Sequence, residues 1–326
     1  MTPRTKKAKG KAKTTSKGRT KWKTNDKAVR RVVRAGYAKI AKGGSVGCGA
    51  TSSCCCGGNE AARTTTDLGK MIGYSDKELS SVPDGSNLGL GCGNPTAMAQ
   101  LKKGEVVLDL GSGAGFDCFL ASHRVGDSGR VIGVDMTPEM LERAKVNARS
   151  GGYTNIEFRL GEIESLPVED CFVDVIISNC VINLSPNKLR VFGEAFRVLR
   201  PGGRLMVSDI VLLKPLPEQI LNSMGAYIGC VAGAILKQEY LNAIKAAGFK
   251  EVEIISEDPF PVEVFTNDPT AAAVISQMGV PMAKITDTIN SVVSIKVAAT
   301  KAKMNIRPLI GSPKRSSKKT TRAKKR

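Results

Sequence analysis

The sequence has one histidine and one tryptophan among its 326 residues. A single imidazole, His123, excludes a histidine-rich metal centre and leaves little for histidine-based acid–base chemistry. No two cysteines stand at C-x-x-C spacing, which argues against a structural zinc site. No apolar run reaches the roughly 18 residues of a membrane helix. The most apolar stretch, MGAYIGCVAGAIL at residues 224–236, is too short. Nothing apolar follows the basic start, so a secretory signal is not expected. Nine cysteines without such a signal imply free thiols and a cytoplasmic protein rather than a disulfide scaffold.

Acidic residues are nearly missing from both ends. Residues 1–34 hold fourteen Lys or Arg and one acid, and residues 301–326 hold eleven and none. Residues 35–300 have twenty-four basic and twenty-nine acidic residues, so the formal charge of +19 belongs to the ends. Such segments cannot bury enough apolar surface to fold. They predict disordered tails and, at most, weak non-specific contact with nucleic acid or an anionic surface.

What the body does have is alternation. EVVLDLGSGAGFD reads as strand, glycine turn and helix start; RVIGVD is a second strand; PEMLERAKVNAR is a helix opened by Pro138. NIEFRLG and FVDVIISN are further strands, KLRVFGEAFRVLRPGG is a helix stopped by proline and glycine, and RLMVSDIVLL is a fifth strand. KQEYLNAIKAAGF, KEVEIISE and INSVVSIKVAAT continue as helix, strand and strand. Strands and helices at this spacing imply a mainly parallel α/β sheet covered on both faces. The expected organisation is a disordered tail over 1–34, a helical, cysteine-rich segment over 35–100, and a core over 101–257. Sheet completion or a small extra α+β layer follows over 258–300, then a second disordered tail over 301–326. Met278 and Met282, in the poorly patterned stretch before the last strand, read as core fillers.

The glycine turn places Gly111, Gly113 and Gly115 outside the carboxyl end of the first strand, the usual ligand crevice of such a sheet. Asp135 ends the second strand, in position to accept ribose hydroxyls. A dinucleotide or a smaller nucleoside fits so far. Asp109 and Asp117 flank the turn, where acids repel pyrophosphate and suit a cationic or amino-bearing ligand. DLGSGAGFD, GVDMTPEML and RVLRPGGRLMVSD, in that order, resemble class I S-adenosylmethionine methyltransferases, with a Rossmann-like, mainly parallel seven-stranded sheet. The resemblance implies S-adenosylmethionine as cofactor. It places the methionine part against the backbone around Gly111 and Gly113, with Asp109, Gly115 and Asp117 as further cofactor-binding residues. Asp135 then holds ribose, Met136 and Ile163 pack on adenine, Glu162 lies near its amino group, and Asn179 lines the cofactor side.

The cysteines point to the acceptor. Cys92 precedes the first core strand, Cys180 ends the fourth, and Cys230 follows the fifth. Soft thiolates converging above a crevice select soft metals and metalloids. Cys118 and Cys171 read as buried core residues. NLGLGCGNP, GVDMTPEMLERA, GYTNIEFRLGEIESLPV, SNCVINLS and GCVAGA resemble arsenite S-adenosylmethionine methyltransferases over roughly residues 37–257. That resemblance implies arsenic(III) bound by Cys92, Cys180 and Cys230 with one of Cys54, Cys55 and Cys56; Cys48 is a further candidate. It makes Cys92, Cys180, Cys230, Cys54 and Cys55 the candidate catalytic residues. Arsenite and methylated arsenicals become the substrates, thioredoxin or glutathione the reductant, and arsenic detoxification the role. A sterol- or quinone-like methyltransferase and a non-enzymatic metalloid sensor are the alternatives. The oligomeric state is left open.

Overall fold

The computed structural model describes residues 25–43, 64–260 and 290–303. Cys48, Cys54, Cys55 and Cys56, Met278 and Met282, and most of both tails lie outside the described residues. Ten helices and seven strands are described. The helices are α1 (Asp26–Ala41), α2 (Thr65–Met71), α3 (Asp76–Ser80), α4 (Pro95–Met98), α5 (Phe116–Val125), α6 (Pro138–Ser150), α7 (Lys188–Val198), α8 (Glu218–Leu221), α9 (Met224–Ile228) and α10 (Lys237–Ala246). The strands are β1 (Val106–Leu110), β2 (Arg130–Asp135), β3 (Ile156–Leu160), β4 (Val173–Asn179), β5 (Leu199–Leu212), β6 (Lys250–Pro259) and β7 (Val292–Thr300).

The strands form one sheet in the order β3-β2-β1-β4-β5-β7-β6. β3, β2, β1, β4 and β5 pair in parallel, while β7 runs antiparallel between β5 and β6. This is the class I methyltransferase fold. Alternate residues of the central strands face opposite layers, as the two-residue strand period requires. Leu108, Leu110 and Ile176 pack with Phe192 of α7 and Tyr240 and Ile244 of α10. Val107, Val131, Val175 and Ile177 pack with Cys118, Ala121 and Val125 of α5. Both faces are covered, so these strands read as apolar runs rather than alternating ones.

Three expectations need correction. The disordered tail does not extend to residue 34. Asn25 caps α1 by accepting a hydrogen bond from the Ala28 backbone, and Val29, Val33 and Gly36 bury one face. That stripe at i, i+4, i+7 is hidden in sequence by the surrounding arginines and lysines. The Pro-Gly segment expected to end α7 lies inside β5 instead. Leu199 already pairs with Val173, and a register shift between Val173 and Val175 absorbs the irregularity. Cys171 is exposed, at a φ of 52°, and receives a contact from Lys301 Nζ at 3.6 Å. It is not a core residue.

Candidate functional site

β1, β2 and β4 end on the same side of the sheet, and the residues of interest sit at that edge. The turn after β1 reverses direction through Gly111, Gly113 and Gly115, all at positive φ (69°, 52° and 93°). A Cβ built on Gly113 meets nothing within 4 Å, so the turn borders open space there. Asp135, at the end of β2, accepts from Gly113 N at 3.0 Å and Thr137 N at 2.8 Å. Burial raises its pKa, and these backbone N–H groups oppose the rise. The result is a carboxylate fixed against the floor of a crevice, beside a backbone with no side chain in the way. A nucleoside with a ribose diol fits that arrangement.

The other expected cofactor residues divide. Asp109 is buried and accepts from the Cys118 thiol at 3.2 Å. Burial, and then the charge of Asp117, pushes its carboxyl well up. Asp117 is also buried and raised to about 6 by burial. It accepts from Tyr74 Oη at 2.7 Å and Asn179 Nδ2 at 3.2 Å. Asn179 acts as a bracket: its Nδ2 also donates to Gly93 O at 2.8 Å, and its Oδ1 accepts from Cys92 N at 3.0 Å. It thereby fastens the Cys92 loop to the end of β4. Met136 packs against the apolar cluster that holds the thiols, and Ile163 packs against the main core. Glu162 is tied to α1, with Arg30 Nε at 3.1 Å and Arg34 Nη2 at 3.6 Å.

Cys92, Cys180 and Cys230 are all buried and free. They come together in one buried cluster with Val29 and Val33 of α1, Ile210 of β5 and Tyr227 of α9. Gly93 allows the Cys92 loop to lie on β5: an added Cβ falls 2.0 Å from Ser208 Oγ. Ser294 on β7 donates to Cys92 O at 2.6 Å. Cys180 and Cys230 both sit in the left-handed region, at φ of 58° and 67°. Such a conformation costs a non-glycine residue roughly 1–3 kcal/mol, and strain of this kind gathers at functional sites. Contact with Cys230, then with Cys92, together with burial, pushes the Cys180 thiol well up. Burial also raises Cys92. Both thiols are therefore held in the neutral form at neutral pH.

The tightest grouping contains a residue that sequence reasoning missed. Sγ of Cys92, Sγ of Cys180 and one oxygen of Asp209 lie within 4.8 Å of one another. The Cys230 thiol instead donates to Cys180 O at 2.8 Å. Asp209 had one visible signal, a lone acid inside the apolar strand RLMVSDIVLL. Tyr74 and Arg30 had none.

The family described as "Methyltransferase domain" matches residues 101–248. A sequence relative, the arsenite methyltransferase of Halobacterium salinarum, is 48% identical over 232 residues, 71% of this chain and 59% of that protein. The arsenite methyltransferase of Aquipseudomonas alcaligenes is 38% identical over 204 residues, 60% of this chain and 58% of that protein. The crystal structure of an arsenic(III) S-adenosylmethionine methyltransferase from Chlamydomonas reinhardtii superposes with a TM-score of 0.53 at 31% identity, covering 73% of this chain and 74% of that one. The chain belongs to the arsenite S-adenosylmethionine methyltransferase family. It spans less than two thirds of the length of either sequence relative. The family's fold uses S-adenosylmethionine as methyl donor. No described helix is long and apolar enough to cross a membrane.

Proposed function

We propose that this protein transfers methyl groups from S-adenosylmethionine to trivalent arsenic held by its own thiols, as a cytoplasmic detoxification enzyme. The observation that carries the reading is the meeting of three free, buried thiols from three distant parts of the chain in one cluster, against which Met136, the neighbour of Asp135, packs. A sterol- or quinone-like acceptor needs a wide apolar pocket and gives no reason for gathering thiols.

In this reading Cys92, Cys180 and Cys230 bind the arsenic, with one of Cys54, Cys55 and Cys56 as a further thiol. Each arsenic–sulfur bond forms as an arsenic–oxygen bond breaks, and the thiol proton leaves with the hydroxyl as water. No protein base has to hold that proton, which suits neutral thiols and a single, distant histidine. Arsenic bound by three sulfurs is pyramidal and keeps a lone pair, and that pair takes the methyl group. S-adenosylmethionine supplies an electrophilic methyl when bound. Asp135 and the turn around Gly111 and Gly113 position it, Met136 lies between cofactor and thiol pocket, and Asn179 holds the Cys92 loop in place. Fixing both partners removes much of the entropic barrier. A thiol reductant of the thioredoxin or glutathione class returns the product to the trivalent level. Glu162, partly exposed and held by Arg30 and Arg34, keeps lone-pair positions for the adenine amino group.

The test is methyl transfer from labelled S-adenosylmethionine, with arsenite and a thiol reductant present. Wild-type protein should transfer label only when arsenite is added. Cys180→Ser should abolish turnover and leave cofactor affinity within about twofold, because a hydroxyl is a poor soft ligand. Cys118→Ser should keep turnover and lose stability. Arsenite-independent labelling, or near-normal turnover by Cys180→Ser, rejects the reading.

A further inference from the structure

The proposed chemistry uses sulfur alone, yet an oxygen donor stands among the thiols. Asp209 is fully buried on β5, with one carboxylate oxygen inside the 4.8 Å group formed with Cys92 and Cys180 Sγ. Its Oδ1 accepts from Asn183 Nδ2 at 2.8 Å and Ile210 N at 2.9 Å. Its Oδ2 accepts from Tyr240 Oη at 2.9 Å. An ionised carboxylate offers about four lone-pair positions. Three are filled, so one position on Oδ2 is left for a ligand. The three bonds also fix the orientation of the carboxylate, as outer partners do for ligands in metal sites.

The two kinds of guest need different donors. Arsenic(III) with three sulfurs keeps its lone pair and has no use for a carboxylate. A divalent cation of the zinc class has no such lone pair, takes four donors in a tetrahedron and accepts sulfur and oxygen together. We propose that Cys92, Cys180 and Asp209 form a binding site for a borderline-soft divalent cation of the zinc and cadmium class, which competes with arsenite for the pocket. Cys230 turns from the Cys180 carbonyl to complete the tetrahedron. Bonds of about 2.0–2.3 Å require the present spacing to close by about 1 Å. Each metal–sulfur bond forms as an S–H bond breaks, the proton passes to solvent, and no electron is transferred. The competition rests on the functional reading above; the cation site does not.

The experiment uses the full chain with Cys48, Cys54, Cys55 and Cys56 replaced by serine, so that the described thiols report alone. Cadmium is titrated by the ultraviolet absorption of its thiolate bonds, and arsenite by its displacement of cadmium. One equivalent should bind and be displaced one for one. Asp209→Asn should weaken cadmium at least tenfold and leave arsenite, followed by direct equilibrium dialysis, within about threefold. The zinc-loaded protein with Asp209 intact should show two or three sulfurs and at least one oxygen around zinc by X-ray absorption, a readout that survives even if the Asn variant fails to fold. A sulfur-only shell, cadmium binding indifferent to Asp209, or equal loss of both guests overturns the site. Asp209-dependent cadmium binding supports the cation site, and if arsenite then fails to bind even with Cys48, Cys54, Cys55 and Cys56 restored, that result strikes the arsenite reading instead.

Discussion

Asp209 shows how much one buried side chain can set. Burial pushes its pKa up to about 7 from an ordinary carboxylate value. Tyr240 on α10 and the backbone and side-chain N–H groups around it oppose the rise, Lys188 contributes favourable charge, and the Cys92 and Cys180 thiols face it. A carboxyl raised on folding binds more protons in the native state than in the unfolded one. Its contribution is therefore favourable below pH 4 and is lost as pH rises through about 7. Asp209→Asn removes that titration. The melting temperature of the variant relative to wild type should accordingly increase as pH goes from 4 to 8, whatever the fixed cost of the altered hydrogen bonds. Calorimetric or circular-dichroism melts across that range check it, and a pH-independent difference refutes the assignment.

At the scale of elements, α1 is the instructive case. Arg30 and Arg34 look alike in sequence but differ in surroundings. Arg30 Nη1 pairs with Glu164 at 3.2 Å, and the Glu164 side chain is only 7% exposed. Arg34 is 46% exposed and meets the partly open Glu162 at 3.6 Å. Removing a cation from a buried carboxylate leaves an uncompensated charge, whereas an exposed pair is worth little. Arg30→Met should cost about 2–4 kcal/mol in urea denaturation, and Arg34→Met less than about 1 kcal/mol. Similar costs would show that α1 is not docked as described. The alternation of β1 to β5 with their helices was legible because both strand faces are apolar and glycines mark the turns. The edge at which Gly113, Asp135 and Cys180 meet followed from it. The pairing of α1 with Glu164 was not legible, because it joins residues 134 positions apart and no periodicity reports such contacts. The position of β7 was hidden for the same reason. Its apolar residues announced a strand, but insertion between β5 and β6 is a matter of topology alone.

Over the whole molecule, charge is unevenly spread. Residues 1–24 and 304–326 carry nineteen basic residues and no acid, which is the entire formal charge of +19. Deleting both segments leaves thirty basic and thirty acidic residues and spares every proposed ligand, together with all of α1. Arsenite methylation and the melting temperature should stay within a few-fold and a few degrees of the full chain. Retention on duplex DNA at low salt should be lost, since neutralised phosphates supply that affinity and its steep salt dependence. Collapse of methylation in a folded truncation would place a tail in substrate delivery. Retention that survives the deletion would put the contact on the neutral body.

The hydrogen bond from Ser294 to the Cys92 carbonyl spans 202 residues, and it has a consequence for biosynthesis. The loop bearing Cys92 is made well before the strand that clamps it. A growing polypeptide can fold β1 to β5 around the crevice while Cys92 still has no clamp on its carbonyl. A chain that stops before Ser294 has every described thiol and lacks the bond that clamps the Cys92 loop. The Cys92 loop is thus clamped only after β7 has been made, so that a half-made precursor does not yet present the thiols as one receptor.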